Sequence, residues 1–148
     1  MELILWRHAE AVDGVPDNDR ALTEKGRRQA ERMARFLADR LPKNIRILVS
    51  PALRAQQTAS ALSKHFTTEP ALGTRATAQG ALSASGWPLA DDAALLVGHQ
   101  PWLGELASLL MTGNTNPWSM KKGAVWWFSR REDEDQTVLR LVIAPDQV

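Results

Sequence analysis

The chain has 148 residues, of which 44% are hydrophobic, so it is long enough to bury a core and too apolar to be disordered. Its 18 basic and 17 acidic residues give a net charge of +1, which provides no overall field to attract nucleic acid, and we expect no nucleic-acid partner. The absence of cysteine excludes disulfides, thiol nucleophiles and thiolate metal sites.

The first eight residues carry no basic leader, and their apolar run is too short for a signal peptide. No stretch of the chain approaches the roughly 20 apolar residues that are needed to cross a bilayer. We therefore expect a soluble, cytoplasmic protein with no membrane partner.

The first third of the chain predicts a strand, a loop and a long helix. Residues 3–6 form a short apolar run that is typical of a buried strand. Residues 9–22 are rich in Gly, Pro, Asn and Asp and predict a loop. A helix then begins after Thr23, which can cap it, and ends at Pro42. Its apolar face repeats at the helical period and consists of Ala30, Met33, Ala34, Leu37, Ala38 and Leu41.

The middle of the chain predicts a second strand and a second helix. Residues 45–49 form the strand. Ser50 and Pro51 have the pattern of an N-cap followed by proline at the first helical position, and the helix is predicted to run to about Lys64. Residues 66–92 indicate only a short strand, a loop and a weak helical turn.

The last third of the chain predicts three more strands. Residues 93–97 form a third buried strand, and residues 98–101 open another helix. Residues 124–129 and 137–143 read as two strands, and the acidic run at 132–135 predicts the hairpin turn between them.

Strands that alternate with helices predict an α/β fold. We expect one domain over residues 1–148, built as a three-layer α/β/α sandwich around a mixed, mostly parallel sheet of five or six strands. Sites in such sheets form just beyond the carboxyl ends of the strands. Arg7 and His8 follow the first strand, Arg54 follows the second, and His99 follows the third, so these side chains are expected to converge.

These residue types suit phosphoryl transfer, which needs a nucleophile and positive charge around the oxygens of the transferred group. Neutral imidazole can be that nucleophile, and arginine beside His8 would favour its neutral form. Arg54 lies in the first turn of its predicted helix, where exposed N–H groups add partial positive charge, and His99 lies just before another helix.

Four segments resemble the histidine phosphatase superfamily, whose members have a phosphoglycerate mutase-like fold. They are LWRHAEA at 5–11, RALTEKG at 20–26, VSPALRAQQT at 49–58 and LVGHQP at 96–101. In its length and in these segments the chain resembles, in particular, the SixA-type phosphohistidine phosphatases. The resemblance implies that His8 accepts the phosphoryl group, that Arg7 and Arg54 clamp its oxygens, and that His99 donates a hydrogen bond or charge to it.

The resemblance also gives roles to two further residues. Arg20 matches a basic position that borders the pocket, and Asp17 matches an acidic neighbour, although an aspartate in this loop could equally form a turn. Ala9 stands where the superfamily has glycine, which is acceptable if its φ is negative. The resemblance implies no metal ion and no organic cofactor, and it predicts that phosphate or sulfate binds in the pocket.

One departure points to the substrate. Larger members of the superfamily carry, within the segment that matches residues 66–92, a carboxylic acid that protonates the leaving oxygen. Glu69 is the only glutamate there and precedes a proline, whereas Asp91 and Asp92 are expected on the far side of the third strand. A missing acid disfavours alkoxide leaving groups and favours phosphohistidine, which leaves as imidazole.

The sequence therefore favours a phosphatase that acts on a phosphohistidine-containing protein, such as a phosphotransfer domain. Three alternatives stay open: a phosphatase for small phosphate monoesters, a phosphoprotein-binding module without turnover, and a metal-dependent hydrolase. The intact His8 and His99 argue against a pure binding module. No Asp or Glu lies at ligand spacing near either histidine, which argues against the metal site.

Overall fold

The computed structural model describes residues 1–148 and contains six strands and four helices. In chain order they are β1 (Glu2–Arg7), α1 (Glu24–Ala38), β2 (Arg46–Val49), α2 (Leu53–Ser60), β3 (Thr67–Thr68), α3 (Ala78–Ser85), β4 (Ala94–Gly98), α4 (Trp102–Thr112), β5 (Val125–Ser129) and β6 (Val138–Ile143). None of the helices has the length and apolar character that a bilayer span requires.

The six strands form one sheet in the order β3-β2-β4-β1-β5-β6. The pairs β2–β3, β2–β4 and β1–β4 are parallel, and β5 runs antiparallel to both β1 and β6. The central β4 is buried along its whole length. The predicted mixed, mostly parallel sheet is therefore confirmed, and the predicted hairpin joins β5 to β6.

Helices cover both faces of the sheet, which confirms the predicted α/β/α sandwich. Successive strand residues point to opposite faces, so Leu3 and Leu5 pack with α3 and α4, whereas Ile4 and Trp6 pack with α1 and α2. Each of these side chains is fully buried, which contributes roughly 1.5–3 kcal/mol per side chain to folding.

The first helix begins where the sequence predicts, because the Thr23 side chain accepts a hydrogen bond from the N–H of Gly26 at 2.9 Å. Its end differs from the prediction. The helix stops at Ala38, four residues before Pro42, and Ala38 is exposed. Leu41 lies beyond the end of the helix but still packs partly against the core. Its position at the helical period therefore indicates that it is buried, and not that the helix continues to it.

The second helix is shorter than predicted. It begins at Leu53 with Ala52 at the N-cap position and ends at Ser60, so the N-cap prediction for Ser50 and the boundary near Lys64 are both wrong. The Ser50 hydroxyl does accept a hydrogen bond from the N–H of Ala52 at 3.2 Å, but that residue precedes the helix. The same hydroxyl contacts a histidine of the candidate site.

Candidate active site

A cavity of about 250 Å³ lies at the carboxyl edge of the sheet, where β1 and β4 end. It is lined by Arg7, His8, Ala11, Asp13, Arg20, Arg54, Thr74, His99, Gln100 and Lys122. Five of the six residues predicted for the site are among them. The sixth, Asp17, lines a neighbouring groove and reaches the site through Arg54 and Arg20.

His8 follows the last residue of β1 and is 8% exposed. Its backbone N–H donates to the carbonyl of Gly98, which continues the pairing of β1 with β4. Its Nδ1 lies 2.7 Å from the carbonyl oxygen of Ala9, and because a carbonyl only accepts, Nδ1 carries the proton. Nε2 is therefore the unprotonated nitrogen, with the lone pair that a nucleophile needs.

The residue after His8 is held by the second helix. The N–H of Ala9 donates to Thr58 Oγ1 at 3.1 Å, and the Thr58 hydroxyl donates to the carbonyl of Arg54 at 2.8 Å. Asn44 is the one non-glycine residue with a positive φ, so Ala9 needs no conformation that would require glycine. Alanine in place of the superfamily's glycine is therefore compatible with the backbone conformation at this position.

Burial is the main cause that lowers the pKa of His8 from 6.5 to about 4. The hydrogen bond to Ala9 opposes this shift, and the charges of Arg54, Arg7 and Arg20 lower the pKa further. The imidazole is consequently neutral at pH 7.

Arg54 lies in the first turn of α2 and is 5% exposed. Its Nε–H donates to His8 Nε2 at 3.3 Å, and its two terminal nitrogens donate to the backbone carbonyl and the carboxylate of Asp17, at 2.7 and 3.0 Å. A guanidinium has five N–H groups, so each terminal nitrogen keeps one donor for another partner. Asp17 thus orients Arg54 without using all of its donors.

Arg7 ends β1 and reaches the cavity beside His8. Its Nη1 donates to the carbonyl of Met120 at 2.6 Å, whereas its Nε is buried and has no hydrogen-bond partner. Burial lowers the pKa of Arg7. An unpaired buried N–H costs about 1–3 kcal/mol, and an anion in the cavity is the kind of partner that would satisfy it.

His99 directly follows β4 and is 3% exposed. Its ring centre lies 5.1 Å from that of His8, and its Nε2 lies 2.7 Å from the hydroxyl oxygen of Ser50. Its Nδ1 is buried and has no partner. Burial, followed by the proximity of His8 and Arg54, lowers the pKa of His99 to about 3, so this ring is also neutral.

Arg20 and Asp17 form a charged pair at the mouth of the cavity. Arg20 donates from Nε to the carbonyl of Val12 at 2.7 Å and from Nη1 to Asp17 Oδ1 at 3.0 Å. The hydrogen bonds from Arg20 and Arg54 hold the pKa of the Asp17 carboxyl below its usual range. The Asp17 carboxylate is therefore engaged by both arginines, and Arg20 is the member of the pair that lines the cavity.

Besides Ala11 and Gln100, which fall within the matched motifs, three lining residues were not predicted: Asp13 from the loop after β1, Thr74 from the segment before α3, and Lys122 from the segment before β5. All lie in irregular segments outside the four matched motifs, so no periodicity or spacing marks them. Glu69 does not line the cavity. The carboxylate that does line it, Asp13, comes from the nucleophile's own loop.

Gln100 also lines the cavity, but the protein itself binds both ends of its amide. Nε2 donates to the carbonyl of Trp118 at 2.9 Å, and Oε1 accepts from the N–H of Gly104 at 2.7 Å. Trp102, in the first turn of α4, is 1% exposed and belongs to the core.

The cavity combines three guanidinium groups, two neutral imidazoles and two unpaired buried nitrogens. This arrangement can bind a small tetrahedral anion and place an unprotonated nitrogen beside it. No group of three or more His, Asp or Glu side chains suited to a metal ion occurs in the structure.

The chain belongs to the histidine phosphatase superfamily, branch 1, whose family model matches residues 3–76. An uncharacterised protein from Picosynechococcus sp. is 38% identical over 125 residues, which are 78% of this chain and 76% of the relative. Family membership and fold together support a phosphatase.

Solved structures share the fold over almost the whole chain. The protein histidine phosphatase SixA complexed with tungstate has a TM-score of 0.80 at 24% identity and covers 99% of this chain and 98% of its own. A candidate phosphohistidine phosphatase SixA from Agrobacterium tumefaciens has a TM-score of 0.77 at 28% identity, covering 97% and 98%. A phosphoserine phosphatase variant from Entamoeba histolytica, bound to phosphoserine, has a TM-score of 0.73 at 16% identity, covering 99% and 98%. The expected phosphoglycerate mutase-like fold is therefore confirmed.

Proposed function

We propose that residues 1–148 act as a single domain that removes phosphate from phosphohistidine in a protein, through a phosphoryl group carried on His8. The observation that carries this proposal is the state of the His8 ring. Its Nδ1–H is fixed on the Ala9 carbonyl, which leaves an unprotonated Nε2 among three arginines.

In the first step, the lone pair of His8 Nε2 attacks phosphorus, and the bond between phosphorus and the substrate's imidazole nitrogen breaks. Arg7, Arg54 and Arg20 neutralise the phosphoryl oxygens, and His99 donates to one of them. His8 keeps its Nδ1 proton throughout. The positive charge that develops on the phosphorylated ring is therefore stabilised by the Ala9 carbonyl.

In the second step, water attacks phosphorus and the bond between phosphorus and His8 Nε2 breaks. His8 leaves as a neutral imidazole because Nδ1 still carries its proton, and the proton lost by the water stays on the product phosphate. The same tautomer thus serves attack and departure, and neither step in this scheme uses a metal ion.

Phosphohistidine fits this chemistry because its leaving group needs no acid from the enzyme. A phosphoimidazole that is protonated on its distal nitrogen leaves as neutral imidazole, whereas a sugar alkoxide needs a proton. The cavity opens beside a groove of about 880 Å³ that is walled by Pro16, Pro51, Pro70 and Arg75, among others, and shares Thr74 with it. Such a groove has room for the protein segment around a phosphohistidine.

The comparisons support the same substrate class, because two of the relatives are named as SixA phosphatases and one of them binds tungstate, an oxyanion like phosphate. Phosphotransfer proteins belong to the cell interior, and a chain without cysteine fits that reducing compartment. We accordingly place the protein in the cytoplasm.

The experiment that tests the proposal measures phosphate release from a phosphohistidine-carrying phosphotransfer protein in buffer with a metal chelator. We expect rapid release that His8→Ala reduces by about 10⁴-fold or more, and that His65→Ala, at an exposed histidine outside the cavity, leaves unchanged. Enzyme quenched in alkaline denaturant should carry phosphate on His8, because the phosphorus–nitrogen bond of phosphohistidine is stable in alkali and hydrolyses in acid. Binding of phosphate without any release would instead indicate a phosphoprotein-binding module.

Asp13 favours a second candidate function, the hydrolysis of small phosphate monoesters. It is the one carboxylate that lines the cavity, and its side chain forms no hydrogen bond or ion pair within the protein. A carboxylic acid there could protonate an alkoxide leaving group. The phosphoserine phosphatase relative shows that this fold can serve monoester substrates.

Asp13→Asn separates the two functions. A general acid contributes about 10²–10⁴-fold to rate, so the substitution should lower monoester turnover by that factor if monoesters are the true substrates. Release from phosphohistidine should change by less than about threefold. Alkyl monoesters that turn over faster than phosphohistidine in the wild-type protein would favour the second candidate.

A further inference from the structure

The contact between Ser50 and His99 has no role in the chemistry described so far. Ser50 is the first residue after β2 and is completely buried, as is most of His99. Ser50 Oγ lies 2.7 Å from His99 Nε2 and also accepts a hydrogen bond from the N–H of Ala52 at 3.2 Å. These two bonds, with the unpaired Nδ1 of His99, decide which ring nitrogen carries the proton.

The hydroxyl of Ser50 has one proton, and His99 Nε2 is the one acceptor within its reach. If the hydroxyl donates to Nε2, the serine is fully paired and only Nδ1–H of His99 lacks a partner. If Nε2–H donates instead, the serine proton and the lone pair of Nδ1 both stay unpaired in a buried site. The first arrangement leaves one unpaired group and the second leaves two, so the first is favoured.

The structure assigns Ser50 as a positioning residue that holds His99 in the tautomer protonated on Nδ1. His99 lines the cavity, and with Nε2 engaged by Ser50, Nδ1 is the ring nitrogen left for a ligand. A neutral Nδ1–H donates to a phosphoryl oxygen, whereas an Nδ1 lone pair would repel it. Ser50 thus makes a neutral histidine into a hydrogen-bond donor without touching the substrate.

This assignment complements the arrangement at His8, where a carbonyl selects the tautomer. Ala9 O fixes the proton on Nδ1 of His8 and leaves Nε2 free to attack, and the Ser50 hydroxyl fixes the proton on Nδ1 of His99. The two neighbouring rings therefore have the same tautomer but opposite tasks: one presents a lone pair and the other presents a proton.

The inference rests on the proposed function only for its consequence in turnover, because the tautomer can be measured without substrate. The chain has three histidines, so His65→Gln leaves two ring systems to assign by long-range ¹⁵N–¹H correlation. At pH 7 we expect Nδ1 of His99 to give a protonated, pyrrole-type signal and Nε2 an unprotonated, pyridine-type signal. A protonated Nε2 in the wild-type ring overturns the assignment, whether or not any Ser50 variant folds.

Ser50→Ala then tests whether the serine sets the tautomer. We expect protonation of His99 to redistribute toward Nε2, inorganic phosphate to bind about tenfold more weakly, and kcat/KM for phosphohistidine to fall about tenfold to a hundredfold. Ser85→Ala is the matched control: Ser85 is also completely buried and makes two hydrogen bonds, to Leu82 and Trp87, outside the cavity. It should leave the His99 signals and phosphate affinity unchanged.

The outcomes separate this inference from the proposed function. A His99 ring that stays protonated on Nδ1 in Ser50→Ala shows that the serine does not set the tautomer and overturns the inference. Shifted ring signals and weaker phosphate binding support it. If those changes occur in a protein that releases no phosphate from phosphohistidine, the assignment of Ser50 stands and the proposed function fails.

Discussion

The parallel and antiparallel parts of the sheet contribute to the site in different ways. The parallel strands β1 and β4 end at the same edge and place His8 and His99 directly beyond it. The antiparallel β5 brings its amino end to that edge, and the segment before it contributes mainly backbone groups. Gly123 N–H donates to the carbonyl of His8, Arg7 N–H donates to the carbonyl of Ala124, and Met120 O accepts from Arg7.

The difference shows that reactive side chains and their supports can come from strands of opposite direction. The carboxyl ends of parallel strands supply the histidines, while the start of β5 holds β1 in place through backbone bonds. The outermost β6 lies one strand further away, and none of its residues lines the cavity. Substitutions in the two parts should therefore have unlike effects on activity and stability.

The largest contrast is expected between two arginines. Arg54→Ala should lower kcat/KM for phosphohistidine by about 10²–10³-fold, equivalent to about 3–4 kcal/mol, because it removes buried donors beside His8. Arg140→Ala in β6 removes an exposed ion pair to Glu2 of 2.8 Å and should leave kcat/KM unchanged. Steady-state kinetics on both variants measures this difference. Comparable losses of kcat/KM in Arg54→Ala and Arg140→Ala would contradict the expected contrast.

A smaller effect should appear in the pH dependence of stability. The folded-state pKa of His8 is about 4 against an ordinary value of 6.5, so between these values the unfolded chain binds a proton that the folded chain does not. The free energy of unfolding should therefore fall as pH drops from 6.5 to 4, by at most about 3 kcal/mol for this group. Depression of the His99 pKa acts in the same direction.

Urea unfolding at pH 7, 6 and 5 measures this slope. His8→Asn should reduce this slope and leave the contribution of His99, and Val142→Thr in β6, which changes no titratable group, should retain the wild-type slope. An unfolding free energy that is constant over this range in the wild-type protein would show that burial does not keep His8 neutral.

A further contrast concerns two glycines. A Cβ at Gly98 would overlap the indole of Trp102, so Gly98→Ala should destabilise the fold by about 1–3 kcal/mol and, because His99 is the next residue, lower activity as well. Gly113 has a φ of +80°, but no atom lies within 4 Å of the position that a Cβ would take. Gly113→Ala should cost about 1 kcal/mol and leave kcat/KM intact. Thermal unfolding and steady-state kinetics on the same samples compare the stability and the kcat/KM of the two variants.

The smallest effect is expected on the exposed face of β6. Val142 is 46% exposed, so Val142→Thr should change the free energy of unfolding by less than about 0.5 kcal/mol and leave kcat/KM unchanged. Equilibrium unfolding in urea tests this. A loss of activity in this variant would mean that the antiparallel part does more than support β1.

The sequence predicted β1, β2, β4, β5 and β6 well because each is a mainly apolar run, whereas β3 is only two exposed threonines. It predicted where His8, Arg54 and His99 converge because parallel strands end at a common edge. It predicted the ends of α1 and α2 poorly. Leu41 keeps the helical spacing although the helix has already ended, since burial alone sets that pattern. Ser50 looks like an N-cap in sequence, but its hydroxyl is oriented by a histidine 49 positions away.

The remaining cavity residues could not have been predicted, because tertiary contacts alone place them. Asp13 and Lys122 are charged residues in loops, indistinguishable in sequence from solvated surface groups. Both line the cavity because β5 pairs with β1 and brings the segment before it to the same edge of the sheet. Asp17 was expected at the pocket, but it lines the neighbouring groove. Its carboxylate is held there by ion pairs with Arg20 and Arg54.

The single hydroxyl of Thr58 joins the amide of Ala9 to the carbonyl of Arg54. This pair of hydrogen bonds couples α2 to the loop that carries the nucleophile. We therefore expect Arg54 and the His8 loop to shift together, so that small movements of α2 change the spacing between His8 Nε2 and the guanidinium little. Hydrogen exchange at the Ala9 amide would report how often the hydrogen bond between Ala9 N–H and Thr58 Oγ1 opens, because the amide proton exchanges with water only while that bond is broken.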